Sequence, residues 1–101
     1  MKPEEGDIKY HILITGQELE ELQKFTWEMA ESFGLDRRID AYQGKRPIGV
    51  YRWDLECLEA VVSSAIEDID EYPDRSTPEY RAIYNLYIRI KCLYEEAFND
   101  P

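Results

Sequence analysis

The sequence predicts a mainly α-helical domain of three long helices and one short helix, preceded by an N-terminal β-strand. Three observations predict it. Apolar residues recur at helical spacing over 77–98 and again over 54–71. Residues 7–15 alternate instead with a period of two. Capping residues stand ahead of each helical stretch. With 101 residues, 44% of them hydrophobic and 34% charged, the chain is expected to form one folded domain around a single core, 1–101.

In the strand, Ile8, Tyr10, Ile12 and Ile14 point one way, and Lys9, His11, Leu13 and Thr15 the other. A lone strand needs a ladder partner. The choices are residues 48–53 of the same chain or the same strand of a second molecule, which would make a homodimer. Thr15 and Glu18 have capping-box spacing for a helix over 16–33. Its inner face is Leu19, Leu22, Thr26, Met29, Ala30 and Phe33, flanked by Phe25. Its outer face is Glu20, Glu21, Lys24, Glu28 and Glu31, and Gly34 is placed to end it. Trp27 falls at the rim, either packed across a neighbouring loop or facing a partner as an anchor.

Asp36 is a candidate cap for the short helix over 37–43, ended by Gly44. Asp54 is the candidate cap of the third helix, with inner face Leu55, Leu58, Val62, Ala65, Ile66 and Ile69. In the last helix Ile83, Leu86, Ile90, Leu93 and Ala97 make one apolar stripe. Tyr80, Tyr84, Tyr87, Tyr94 and Phe98 make a second. A helix apolar over so much of its circumference belongs at the centre of the fold. Ser76 with Glu79 forms a capping box, Thr77 is an alternative cap, and Pro78 sits in the first turn, where its missing N–H does no harm.

Net charge is −10 and unevenly distributed: −5 over 1–35, +3 over 36–53, −8 over 54–74 and zero over 75–101. Such a surface repels phosphate backbones and anionic membranes, so neither direct nucleic-acid binding nor membrane docking is expected. No run of 18 apolar residues occurs and the first residues lack the apolar segment of a signal peptide, so a cytoplasmic location is expected. Cys57 and Cys92 fit reduced thiols.

Catalytic patterns are absent from the sequence. His11 is the single histidine and lies in a strand, and nothing places either cysteine beside it. The glycines of 44–49 have P-loop spacing, but Val50 and Tyr51 stand where the lysine and the hydroxyl residue must be. The chain is therefore read as a non-enzyme. The expected function is an acidic interaction protein (an inhibitor, an immunity-type protein or a regulator) that binds a basic protein partner. Glu67, Asp68, Asp70, Glu71 and Asp74 would supply charge, and Tyr72 and Trp27 apolar contact.

The alternative is a calcium-binding protein, because Asp68, Asp70, Asp74, Ser76 and Glu79 fall at EF-hand-like offsets, making Asp68, Asp70, Asp74 and Glu79 the candidate metal ligands. Tyr72 stands at a ligand position and Pro73 replaces the turn glycine, so an orthodox EF-hand loop is excluded. Apart from that ion no cofactor is expected. A second candidate site is the basic island: Arg37, Arg38, Lys45, Arg46 and Arg52 interleave with aromatics including Trp53. It would either pair internally with flanking carboxylates or recognise an anionic ligand or acidic peptide.

Overall fold

The computed structural model describes residues 9–29 and 34–99, and the expected roles of Ala30, Glu31 and Phe33 lie outside them. The elements run β1 (Tyr10–Ile12), α1 (Gly16–Gln23), a 3-10 helix (Thr26–Met29), α2 (Leu35–Ala41), β2 (Ile48–Val50), α3 (Arg52–Glu67) and α4 (Pro78–Asn99). The fold is mainly helical, with a two-stranded antiparallel sheet. Tyr10 pairs with Val50, His11 with Gly49 and Ile12 with Ile48, so β1 finds its ladder partner within the chain. The described strand is shorter than 7–15, and residues 7 and 8 lie outside the described part. Among the described residues no helix is long and apolar enough to cross a membrane.

α4 is the centre of the fold, packed against both α3 and α1. Ile83, Leu86 and Ile90 are fully buried, and Tyr80 and Ala97 nearly so. The tyrosine stripe divides: Tyr80 faces the core, Tyr87 and Tyr94 are half-buried, and Tyr84 and Phe98 reach solvent. Thr77 is the cap, its hydroxyl accepting the Tyr80 N–H at 3.2 Å. Ser76 takes no part there, because its hydroxyl donates to Asp74 at 2.6 Å.

The first helix is shorter than its periodicity implies. From Lys24 onward the backbone tightens to i−3 hydrogen bonds, Lys24 to Glu21 and Phe25 to Leu22. The Thr26 hydroxyl donates to the Asp40 carboxylate at 2.9 Å and lies 3.3 Å from the Gln23 carbonyl, anchoring the 3-10 segment to the α2 side of the fold. Thr15 precedes α1 without a side-chain cap. Glu18 instead turns toward α4, pairing with Arg89 at 2.6 Å and accepting from Asn85.

Two expected caps are displaced by one turn or less. Gly34, left-handed at φ 86°, precedes α2, so Asp36 sits inside the first turn. α3 begins at Arg52, so Asp54 lies at its third position, where the carboxylate reaches back to accept the Tyr51 N–H at 3.0 Å. Gly44 is required where it stands. Its φ is +73°, and a Cβ there would lie 2.9 Å from the Ile14 carbonyl oxygen.

Candidate functional site

α3 stops at Glu67. Asp68 has extended backbone, its Oδ1 accepts the Asp70 N–H at 2.9 Å, and its carbonyl accepts the N–H groups of Glu71 and Tyr72. The side-chain bond is an Asx turn, which competes with continuation of the helix. Ile69, expected on the inner face of α3, is consequently outside the helix and 67% exposed. Six residues on, the Asp74 carboxylate accepts both the N–H and the hydroxyl of Ser76. The Ser76 hydroxyl, and then its N–H, hold Asp74 below the usual aspartate value.

Tyr72 overturns its expected role as a partner contact. It is buried, and its hydroxyl donates to Glu21 Oε1 at 2.8 Å across 51 residues of sequence. Its ring meets Phe25 at 6.3 Å and Tyr80 at 5.7 Å. Glu21, placed on the outer face of α1 by periodicity, is equally a correction: it is buried at 1% exposure. Burial pushes its carboxyl up. The hydrogen bonds from Lys24 at 2.8 Å, from Tyr72 and from Gln17, with the Lys24 charge, outweigh that and leave it below the usual glutamate value. Burial first, then the bond to Glu21, raises the Tyr72 phenol well above its ordinary range. The pair is satisfied because the acid stays ionised and the phenol stays protonated.

Tyr72 therefore fastens the acidic loop to the end of α1 and turns its neighbours outward. Glu67, Asp68, Asp70, Glu71 and Asp74 are all exposed, and among the described residues no lysine or arginine pairs with them. Arg75 lies over the Tyr80 ring at 5.5 Å instead. Trp27, two residues beyond Phe25, is 74% exposed rather than folded over a loop. Trp27 stands two residues from Phe25 and Ile69 three from Tyr72, so both exposed side chains sit on segments that are joined at the Phe25–Tyr72 ring contact. Ile69 is the member of this surface that periodicity missed. The Asp68-Ile69-Asp70 run was the available signal, since an aspartate two residues before another N–H favours a turn.

The calcium candidates do not converge. Among the described residues no group of three or more histidines, cysteines, aspartates or glutamates is placed to hold a metal ion. Asp68 and Asp74 each direct an oxygen to a backbone N–H of their own loop.

One arginine of the basic island is turned into the fold. The Arg38 guanidinium binds the fully buried Asp54 carboxylate at 2.7 Å and the Gly49 carbonyl at 3.1 Å, tying α2, β2 and α3 together. Trp53 stacks on Tyr51 at 4.9 Å, and Arg52 lies over the Phe98 ring at 5.0 Å. The Arg46 carbonyl accepts the Tyr42 hydroxyl, whose oxygen also accepts the Ile14 N–H. Arg37, Lys45, Arg46 and Arg52 remain exposed. His11 is exposed on β1, Cys57 is half-buried on α3 and Cys92 is exposed on α4, and neither cysteine is in a disulfide. Comparison with protein-family models, with curated proteins and with solved structures gives no match to this chain.

Proposed function

We propose that this protein acts without catalysis, as an acidic interaction protein whose loop end binds a basic protein partner in the manner of an inhibitor, immunity-type protein or regulator. One observation supports the reading above others. Five carboxylates, at positions 67, 68, 70, 71 and 74, face solvent without a cationic partner among the described residues, and exposed Trp27 and Ile69 stand on the two segments joined at the Phe25–Tyr72 contact. Charge of one sign steers a partner of the other, while an exposed Trp and Ile supply the apolar contact that holds it. Tyr72 serves by holding the loop in place, not by touching the partner. On this reading the protein works in the cytoplasm, and its negative surface keeps it from nucleic acid and anionic lipid.

The test is capture from the native cell extract with wild type and with two variants, Asp68→Asn/Asp70→Asn/Glu71→Gln and Trp27→Ala, at low and high salt. A basic protein retained by wild type at low salt, released at high salt and weakly held by both variants is the expected result. Retention that is the same for wild type and the charge-neutralised variant would overturn the proposal.

A further inference from the structure

The outer face of α4 carries a row that its neighbours in the fold leave open. Arg81, Tyr84, Ile88, Cys92 and Glu95 are all exposed, Tyr84 at 45% and Ile88 at 43%. At 100° per residue they fall within about 80° of one another, on the side opposite Ile83, Leu86 and Ile90. Their spacing is symmetric about Ile88: Tyr84 and Cys92 stand four residues either side of it, Arg81 and Glu95 seven. The two end residues carry opposite charge, and neither is in an ion pair among the described residues. Lys91 lies over the Tyr87 ring at 5.6 Å rather than pairing with Glu95.

We propose that this row is the contact between two copies of the chain, with their α4 helices antiparallel about a two-fold axis at Ile88. A two-fold interface must be complementary to itself. With a rise of about 1.5 Å per residue, Arg81 and Glu95 lie about 10 Å to either side of Ile88. Antiparallel pairing sets each copy's Arg81 level with Glu95 of the other copy, and each Tyr84 level with a Cys92. Parallel pairing would set Arg81 against Arg81 and Glu95 against Glu95, so charge selects the antiparallel arrangement. The Tyr84 ring is already oriented by Tyr80 at 5.9 Å and Tyr87 at 6.3 Å, which lowers the entropy lost on association. One helix pair buries less than the roughly 1,600 Å² of a standard interface, so the dimer forms reversibly and only at raised concentration.

Sedimentation equilibrium of the full chain over a wide concentration range tests this. Wild type should show a monomer–dimer equilibrium. Ile88→Lys and Arg81→Glu should each weaken it by about tenfold or more, with circular dichroism confirming that both variants stay folded. Arg81→Glu combined with Glu95→Arg should recover the wild-type equilibrium. A wild type that is monomeric throughout, or a dimer that Ile88→Lys leaves unchanged, such as one built on the open edge of β1, overturns the interface. A double variant as weak as Arg81→Glu alone overturns the antiparallel pairing.

Discussion

The basic island at 36–53 and the acidic end at 54–74 are stretches of similar length with opposite charge, +3 and −8, and the fold treats them differently. In the first, one charge is structural. Arg38 reaches a carboxylate on α3 and a carbonyl on β2, so three elements meet at one guanidinium. In the second, Asp54 is the carboxylate drawn inward, while the five between 67 and 74 stay in water. A charge becomes part of the framework when groups from distant segments surround it and exclude water. It remains available to a partner when its only neighbours are its own loop.

Substitutions can break or sharpen this contrast. The largest effect is expected from Arg38→Met, which removes the cation paired with the Asp54 carboxylate at 0% exposure and should cost about 3 kcal/mol in urea unfolding. A loss below about 0.5 kcal/mol would show that the island is not structural after all.

Tyr72→Phe removes the hydroxyl donor to Glu21 and should cost about 2 kcal/mol, measured the same way. Its pH dependence is also diagnostic. Glu21 titrates below its ordinary 4.5 in the folded protein, so its contribution is present above that pH and is lost as pH falls through the folded value. Tyr72 titrates above its ordinary 10.0, so its contribution is complete below pH 10 and declines as pH rises beyond it. In Tyr72→Phe the alkaline decline due to this phenol should vanish and the acid-side loss should shrink.

Gly44→Ala comes next, at about 1–2 kcal/mol, from the left-handed backbone and the close Ile14 carbonyl. At the acidic end, Trp27→Ala and Ile69→Ser should change stability by less than about 0.5 kcal/mol while weakening partner capture. A substantial loss of stability in either variant would mean that this surface, too, belongs to the framework.

Much of the fold was legible in the amino-acid order. The core stripe of α4, the caps near Thr77 and Asp54 and the short helix before Gly44 follow patterns a few residues long, whereas the sequence leaves the first strand's partner open between 48–53 and a second molecule. The candidate site was legible in part. The carboxylates and Trp27 were visible as charge and as an aromatic off the core stripe, but Tyr72, expected at the partner surface, is buried and Ile69, expected inward, is exposed. Helical spacing places Ile69 inward only while the helix continues, and the Asp68 turn ends it first. With the chain freed, Tyr72 can reach inward.

Local sequence determined which segments coil and that the surface is acidic, because backbone propensity and hydrophobic period act over one to three turns. Tertiary structure alone decided which charges are buried and which are open. Glu21 is buried because a phenol 51 residues away satisfies it, and Asp54 because α2 delivers Arg38 to it. Desolvating a charge is favourable only with its partners in place, and no local pattern specifies where a distant partner will arrive.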